Sequence, residues 1–469
     1  MRFVRIATRY LGLAVLCGLV GLNLVWAQSE VQDSGATTRV FAGARVIVGD
    51  GAVIEDAALV VRGDQILDVG DVNEIATPLG ATVVDLAGRT VIPALVNTHA
   101  HLGWEGYTSW GSENFTRENL IDHLYRHAYY GVGTIISTGS DREEIALEVR
   151  QAQRLGAVGG ARYLVSPGMG IPGGGPNPRF TADAGWWGLH GVTTGTEARE
   201  IVRAEAARGI QIIKIWVDSR DERRGDRVKL HPEIYRAILD EAQTRDIRVI
   251  AHATTLEDHK RLVGAGIRRF IHMPYDVEVD DEYLAMVEAR NVFIVPTLGM
   301  VTRRESYRRP VYDDPFFQEQ TSDAVIRRLR TLAGEGAPSS RDTAAARRAG
   351  IIAGNFARLG NHIIMGTDAG AVGDFFGYAD HLELELFVRL GMTPLQAITA
   401  ATSRAAQAFG LTDVGLMEAG RQADFVVLDA NPIDDITNTR AIVQVFMRGE
   451  PVDREALRSG WVQSELGQE

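Results

Sequence analysis

The chain has 469 residues, a formal net charge of −12 at pH 7, and 45% hydrophobic residues. This length predicts a large domain accompanied by a smaller one. The acidic balance argues against nucleic acid and anionic lipid as partners, because both are polyanions. Cys17 is the single cysteine, so disulfide bonds within the chain are excluded.

The first residues have the pattern of a secretory signal peptide. Arg2, Arg5 and Arg9 form a basic region, residues 11–25 form an apolar one, and Ala27 ends a cleavage motif of small and aromatic residues. The alternative is a membrane anchor, although the apolar run is short for a spanning helix. We therefore predict that residues 1–27 are removed and that the mature protein is secreted or periplasmic, with no membrane attachment.

Short alternating strands are predicted near both ends of the mature chain. They lie at residues 44–48, 58–61, 65–69, 82–86, 423–428 and 442–449, and turn residues separate them. The same pattern at two distant places predicts that the ends pair with each other. We expect one small β-sandwich domain built from residues 28–93 and 411–469.

Between these segments, residues 94–410 follow a different rhythm, in which apolar runs alternate with amphipathic helices. The runs lie at residues 91–99, 133–138, 162–166, 210–217, 248–252, 269–272, 292–296 and 363–368. A helix is predicted over residues 232–245, and Thr393-Pro394-Leu395-Gln396 is a capping box with proline at the first helical position. Eight alternations predict an α/β architecture, a (β/α)8 TIM-type barrel with its chemistry at the C-terminal strand ends.

Lys214 lies in the apolar stretch 209–217 without an obvious partner beside it in the sequence. Burying an ammonium costs several kcal/mol, so a lysine inside a strand usually has a chemical role. The chain has only three lysines, Lys214, Lys229 and Lys260, among 49 basic residues. An amine reacts with carbon dioxide to give an anionic carbamate, which a guanidinium cannot do. The alternative is a lysine whose head reaches solvent at the strand end.

Six potential metal ligands fall at predicted strand ends. They are His99 and His101 on the first strand, Lys214 on the fourth, His252 on the fifth, His272 on the sixth and Asp368 on the eighth. His99 and His101 are two residues apart, so both side chains point to the same side of an extended segment. A single histidine in such a place is more often a core residue, but the set predicts a centre for zinc or a similar divalent ion.

These motifs resemble those of the amidohydrolase superfamily, in its imidazolonepropionase-like and prolidase-like branch. The resemblance rests on His99-Ala100-His101, Ile213-Lys214-Ile215, Ala251-His252-Ala253, Ile271-His272 and Gly366-Thr367-Asp368-Ala369-Gly370, and it continues through residues 393–402 and 420–425. It therefore covers nearly the whole mature chain. Asn97 and Ala94 replace an aspartate and a glycine that are common in the first motif.

The resemblance implies a centre of two divalent ions, for which zinc is the expected metal. One ion would be held by His99, His101 and Asp368, the other by His252 and His272, and Lys214, carboxylated by carbon dioxide, would bridge them together with a hydroxide. It implies a binuclear metal-dependent hydrolase in which the bridging hydroxide attacks an amide-type C–N bond. The substrate would be a small molecule, such as an acyl amide, an N-acyl amino acid, a cyclic amide or an imide, with Asp368 transferring the proton.

Two departures argue against peptide hydrolysis by the scheme of the resembling dipeptidases. Those enzymes carry a histidine in the loop after the third strand and a tyrosine just after the fifth-strand histidine, where this chain has Gly175 and Thr254. Hydrolysis of a lactone or ester by the same centre is one alternative, and a non-catalytic exported ligand-binding protein is another. The sequence leaves open whether the protein is a homo-oligomer.

Other residues near the predicted barrel mouth have less specific roles. His381 follows the last strand, and we expect it to be structural. Several of the aromatic residues around the mouth could simply roof the barrel, but if half of them face inward, the pocket favours an apolar or aromatic group beside the scissile bond. They are Trp104, Tyr107, Trp110, Phe180, Trp186, Trp187, Trp216, Tyr275, Phe375 and Phe376.

Overall fold

The computed structural model describes residues 37–466, except Thr108 and residues 173–187, 218–228, 301–310, 336–342 and 371–374. The predicted signal peptide, Cys17 and Gly175 therefore lie outside the described residues. Within the described part of the chain, no helix is long and apolar enough to cross a membrane.

The described residues form seventeen strands and thirteen α-helices, which are numbered here in chain order. The strands are β1 (Thr38–Ile47), β2 (Val53–Arg62), β3 (Gln65–Asp71), β4 (Thr82–Asp85), β5 (Thr90–Pro93), β6 (Leu95–Ala100), β7 (Val132–Thr138), β8 (Arg162–Ser166), β9 (Gly168–Gly170), β10 (Leu189–Gly191), β11 (Ile212–Trp216), β12 (Arg248–His252), β13 (Arg269–Ile271), β14 (Phe293–Val295), β15 (Phe425–Leu428), β16 (Ile442–Met447) and β17 (Glu450–Pro451). The helices are α1 (Arg117–Tyr129), α2 (Glu143–Arg154), α3 (Gly195–Ala207), α4 (Pro232–Thr244), α5 (Leu256–Ala265), α6 (Asp281–Arg290), α7 (Pro315–Gln318), α8 (Asp323–Glu335), α9 (Thr343–Leu359), α10 (Tyr378–Arg389), α11 (Pro394–Ala400), α12 (Ser403–Phe409) and α13 (Arg454–Leu466).

Strands from both ends of the chain share one mixed sheet. Its order is β17-β16-β15-β5-β1-β2-β3, and β4 pairs with β1 on the side of this path. Strand β15 pairs antiparallel with β5, which joins the C-terminal segment to the N-terminal one. Phe41, Phe425 and Phe446 pack together in the core of this sheet, with the last two rings stacked 4.6 Å apart. The domain boundaries given above stay predictions.

The central strands are all parallel and helices follow most of them, so the chain is an α/β protein. One sheet has the order β6-β7-β8, and a second has the order β10-β9-β11-β12-β13-β14. Parallel pairing brings the C-terminal ends of these strands to the same edge. Strands β9 and β10, of three residues each, were not predicted, because such short, glycine-containing strands carry no periodicity.

Two of the predicted strand runs differ in the structure. The run at 91–99 is divided, because β5 ends at Pro93, which has no N–H to donate, and the N–H of Ala94 donates to Asp424 in the terminal sheet. The run at 363–368 is not a regular strand. Isolated parallel bridges join Ile363 to Ile294 and Ala369 to Ala100, and the left-handed backbone of Asp368 (φ 60°) departs from regular strand geometry just before Ala369.

The two helix starts predicted from the sequence are confirmed. Helix α4 begins with Pro232 at its first turn. At α11 the hydroxyl of Thr393 accepts the N–H of Gln396 at 3.2 Å, and the Gln396 side chain accepts the N–H of Thr393 at 2.9 Å. This reciprocal pair is the predicted capping box, and it depends only on residues within one turn.

Candidate metal centre

The six predicted ligands converge where the parallel strands end. His99 is in β6, Lys214 is in β11 and His252 is the last residue of β12, whereas His101, His272 and Asp368 follow their strand segments by one or a few residues. Lys214 is only 1% exposed and His99 is fully buried. Lys214 therefore does not reach solvent, which excludes the alternative of a lysine head at the surface.

The centre has two halves, one with His99 and His101 and the other with His252 and His272, and Asp368 faces both of them. Its Oδ1 lies 3.0 Å from Nε2 of His99 and 3.1 Å from Nε2 of His101, and its Oδ2 lies 3.9 Å from Nε2 of His272. The potential ligand atoms of His99, His101 and Asp368 lie within 4.8 Å of one another. On the other side, the rings of His252 and His272 are 4.6 Å apart between centroids.

Three hydroxyl groups hold the histidine rings in place through Nδ1. Nδ1 of His99 is hydrogen-bonded to Thr138. Nδ1 of His101 is 2.8 Å from the Ser140 hydroxyl, and Nδ1 of His272 is 2.7 Å from the Thr297 hydroxyl. When Nδ1 donates in these bonds, Nε2 keeps its lone pair and points into the centre, as a metal-binding imidazole requires.

These hydroxyl groups were not predicted from the sequence, although the spacing of Thr138 and Ser140 indicated two of them. Thr138 and Ser140 are two residues apart at the end of β7, in the same spacing as His99 and His101 on the neighbouring β6. Two residues at this spacing on adjacent strands lie on the same side, so the pairs can meet. Thr297 offered no comparable pattern.

The backbone is strained at three positions around the centre. His272 (φ 67°), Thr297 (φ 51°) and Asp368 (φ 60°) adopt the left-handed conformation, which is unusual for residues other than glycine. Each such residue costs on the order of 1–3 kcal/mol and persists only where surrounding contacts fix it. Residues of this kind cluster at functional sites, and here they follow the ends of three successive strand segments.

The protonation states of the histidines and the aspartate in the centre suit a divalent cation. Burial lowers the pKa of His99 to about 3, with a further contribution from the Lys214 ammonium, and burial also holds the pKa of His272 well below its usual value. Burial alone would raise the pKa of Asp368, but His99 and His101 hold it well below its usual range. The site thus presents neutral imidazoles beside an anionic carboxylate, which are the protonation states that bind a metal ion.

Among the described residues, one buried atom of the centre has no hydrogen bond of good geometry. Nε2 of His99 finds no partner of good hydrogen-bond geometry among the described residues, even though Asp368 Oδ1 is close to it. A buried lone pair without a donor is costly. A cation between His99, His101 and Asp368 would satisfy it, so the donor set and its geometry fit a metal ion.

Asn97 connects the first half of the centre to helix α10. Its side-chain carbonyl accepts the N–H of His99 at 3.0 Å, and its amide N–H group donates to Thr367 at 2.9 Å and to Asp380 at 2.8 Å. The sequence showed Asn97 only as a departure from the resembling motif. The structure shows that this amide supports the backbone of a predicted ligand.

His381 lies outside the centre, as expected. Its Nδ1 is 3.0 Å from the hydroxyl of Thr439, and its Nε2 is 2.9 Å from the carbonyl of Tyr130. Both ring nitrogens are therefore used in packing α10 against neighbouring segments. Thr254, the other departure, follows β12, and its carbonyl accepts the N–H of Tyr275 at 3.2 Å.

Several of the aromatic residues near the strand ends belong to the core instead of an open pocket. Trp104, Phe375 and Phe376 are buried, as expected for those aromatic residues that only roof the barrel. The indole of Trp104 donates to the Ser140 carbonyl at 2.7 Å, which holds the loop after β6 against the loop after β7. Trp216 is also buried, with its ring packed over Gly139 and Gly168. Phe180, Trp186 and Trp187 lie outside the described residues.

The fold and the centre define a class of protein, and comparison with known proteins agrees. The chain belongs to the amidohydrolase family, whose model matches residues 90–452. It is accordingly a hydrolase that acts on C–N bonds, from a family that generally uses divalent metal ions. The predicted membership of the imidazolonepropionase-like and prolidase-like branch is confirmed.

Two curated relatives extend over most of the chain. Ochratoxinase of Aspergillus niger is 25% identical over 456 residues, covering 89% of this chain and 87% of its own. Imidazolonepropionase of Deinococcus radiodurans is 26% identical over 423 residues, covering 86% of this chain and 93% of its own.

Solved structures agree on the fold. Phenylurea hydrolase B has a TM-score of 0.70 at 24% identity, covering 90% of this chain and 98% of its own. A Xaa-Pro dipeptidase with bound methionine has a TM-score of 0.70 at 21% identity, covering 89% of this chain and 100% of its own. These likenesses imply a TIM-like barrel with an additional domain.

Proposed function

We propose that this protein is an exported, binuclear metal-dependent amidohydrolase that cleaves an amide-type C–N bond of a small molecule. Acyl amides, N-acyl amino acids, cyclic amides and imides are the proposed substrate class. The observation that carries the proposal is the position of Asp368, whose two carboxylate oxygens face His99 and His101 on one side and His272 on the other.

In this proposal the six converging residues hold two divalent ions, with zinc as the expected metal. His99, His101 and Asp368 would hold the first ion, His252 and His272 would hold the second, and Lys214, as a carbamate, would supply oxygen ligands to the centre. When bound, two such ions lower the pKa of a water molecule and polarise the substrate carbonyl group. The protein's own contribution is to fix these ligands and to move protons.

Asp368 is the proposed proton carrier. Its carboxylate is anionic and lies between the two groups of histidines, so it can accept the proton of the attacking water. The same carboxyl can then protonate the departing nitrogen, which must leave as an amine. Both transfers need only a small movement of one side chain, because Oδ1 and Oδ2 already point to different halves of the centre.

Lys214 is proposed to act as an anion. As an ammonium it contributes to lowering the pKa of both His99 and His272, which places its positive charge close to each of them. That charge would repel two divalent ions in a buried site. Addition of carbon dioxide to the neutral amine forms an N–C bond and releases one proton, which converts the same side chain into an oxygen ligand.

The proposal includes a closed (β/α)8 barrel beside a small β-sandwich. Residues 363–369 lie between β14 and β6, with parallel bridges at Ile363 and Ala369, and this supports closure of the ring of strands. The mixed sheet that joins both ends of the chain would form the β-sandwich. Closure matters for function because it would bring the first and the last strand segments, with His99 and Asp368, side by side.

An activity screen of the zinc-loaded mature protein tests the function. The panel contains N-acyl amino acids, anilides, cyclic amides and imides, with lactones and carboxylic esters as the competing class. We expect turnover of C–N substrates that disappears on chelation and returns with zinc. His362→Gln, outside the centre, is the control and should behave as wild type. A fully loaded protein that turns over only lactones or esters, or nothing in the panel, would overturn the proposal.

Export is tested separately in a bacterial host with two membranes. We expect the protein in the periplasm or the medium, with Gln28 as its first residue by mass spectrometry. An intact N-terminus in the cytoplasmic fraction would contradict export without affecting the proposed chemistry.

A further inference from the structure

Helix α10 (Tyr378–Arg389) buries two carboxyl groups that the proposed chemistry does not use. Asp380 and Glu383 are both fully buried. Removing a carboxyl group from water is costly unless hydrogen bonds compensate it. The two residues are three apart, so they lie on the same face of the helix. Their hydrogen bonds lead to opposite halves of the candidate metal centre.

Glu383 fixes the loop that follows β14. Its Oε1 accepts the N–H of Leu298 at 2.7 Å, and its Oε2 accepts the N–H of Gly299 at 2.8 Å. These residues come directly after Thr297, which has the costly left-handed backbone and whose hydroxyl holds Nδ1 of His272. Two hydrogen bonds to the next two amides keep Thr297 in this conformation, and so keep its hydroxyl against His272.

Asp380 acts on the other half through Asn97. Its Oδ1 accepts the side-chain amide of Asn97 at 2.8 Å, and the Asn97 carbonyl accepts the N–H of His99 at 3.0 Å. The same amide group donates to Thr367, whose hydroxyl accepts the N–H of Ala369 at 3.2 Å. Asp380 thus orients the side-chain amide of Asn97. This amide contacts both the backbone of His99 and the turn that carries Asp368.

We propose that helix α10 supplies one positioning carboxyl group to each half of the metal centre, Asp380 to the half of His99 and Asp368, and Glu383 to the half of His272. This inference rests on the proposed function, because the halves are those of the two-ion scheme. Neither carboxyl group touches the ions or the reacting atoms. Each acts through residues that set the direction of a ligand.

The test measures metal binding and not turnover. The mature apo-protein is titrated with zinc against a competing chelator, which gives a dissociation constant for each ion. Glu383→Ala removes both acceptors, and Glu383→Gln removes one. Asp380→Ala removes the acceptor of Asn97, whereas Asp380→Asn keeps one and serves as the rescuing variant. Glu385→Gln is the matched control, because Glu385 is on the same helix but pairs with Arg440.

We expect Glu383→Ala to weaken the second ion by roughly 10–100-fold, the usual effect of losing a group that orients a metal ligand, with Glu383→Gln intermediate. Asp380→Ala should weaken the first ion by a similar factor, and Asp380→Asn should bind it as wild type does. A His252→Ala background isolates the first site. In that background Asp380→Ala should still weaken binding, and Glu383→Ala should not.

A purely structural role gives a different result. If the alanine variants lower the thermal midpoint of the apo-protein but leave both dissociation constants unchanged, or weaken both ions equally, the inference is wrong. If wild type binds a single ion, the two-ion scheme itself is wrong, and the effect of Asp380→Ala on that ion still decides the Asp380 half of the inference. If Glu385→Gln weakens an ion as strongly as Glu383→Gln, the specificity claimed for Glu383 is also wrong.

Discussion

Nε2 of His99 lies 3.0 Å from Oδ1 of Asp368, although the two residues belong to the first and the last of the parallel strand segments. The imidazole is held from behind by Thr138, so Nε2 points at the carboxylate without a hydrogen bond of good geometry. A neutral imidazole and an anionic carboxylate at this distance form a pair of metal ligands more readily than an ion pair. The expected effects of substitutions at Lys214 and Ser140 depend on that interpretation.

Lys214→Arg should remove activity by more than about 100-fold, because a guanidinium cannot form a carbamate and its charge would repel both ions. Lys214→Ala should also be inactive, but it leaves space near the metals. Formate, acetate or propionate should then restore part of the activity in a concentration-dependent way. Turnover and metal content of both variants, with and without added carboxylate, are the measurement, and an active arginine variant would disprove the carbamate.

Ser140→Ala should weaken the first ion by about 10–100-fold, because it removes the hydroxyl that holds Nδ1 of His101 at 2.8 Å. The same competition titration with zinc measures this effect. Ser403→Ala is the control, since that hydroxyl donates to the carbonyl of Gly49, away from the centre. Equal zinc affinity in wild type and Ser140→Ala would show that the ring of His101 needs no such support.

Asp424 should make the protein less stable as the pH rises. Burial raises the pKa of this carboxyl group from 3.8 to about 6. The folded protein therefore favours the protonated form of Asp424. The stability that this protonated carboxyl group contributes is complete below pH 4 and is lost as the pH rises through 6. Asp424→Asn keeps an acceptor for the N–H of Arg448, so it should stabilise the protein at pH 8 by at most about 3 kcal/mol, and much less at pH 4.5.

Urea unfolding at both pH values measures the effect of Asp424→Asn. Asp435→Asn is the control, because the N–H and hydroxyl of Thr437 lower the pKa of that exposed carboxyl group below its usual 3.8. Both pH values lie above that pKa, so the stability that Asp435 contributes is present at both, and the effect of Asp435→Asn should not differ between them. A gain from Asp424→Asn that is the same at both pH values would contradict the proposed origin in burial.

Trp461→Ala should destabilise the protein by about 3–5 kcal/mol, the usual cost of emptying the place of a buried tryptophan. The guanidinium of Arg126 lies between two rings, 4.0 Å from the centroid of Tyr107 and 4.4 Å from that of Trp461. The indole also donates to Asp122 at 2.5 Å. Trp461→Phe keeps a ring over Arg126 but loses the hydrogen bond to Asp122 and part of the indole volume, so it should cost less, about 2 kcal/mol. Denaturant unfolding distinguishes the two variants, and equal losses would exclude a role for the ring.

Local patterns in the sequence were enough to predict which side chains lie together at the C-terminal ends of the strands. Apolar runs that end in His99 and His252 or contain Lys214 are local patterns, and parallel strands bring their C-terminal ends to one edge of the sheet. The capping box of Thr393 and Gln396 was equally local, because both partners lie within one turn. That the converging residues bind two ions stays a prediction.

The orientation of these side chains depends on contacts that exist only in the tertiary structure. Thr138 meets His99, Asp380 meets Asn97, and Glu383 meets the amides after Thr297, and each pair joins segments that are distant in the chain. A shift of one residue in strand register would turn Asn97, His99 or Thr138 to the opposite face of its sheet and break these contacts. The left-handed backbone of Asp368 likewise results from contacts across the centre, because no local pattern favours an aspartate there over a regular strand. Composition and periodicity report which residues face inward, whereas the partners of those residues depend on a register that only the packed structure fixes.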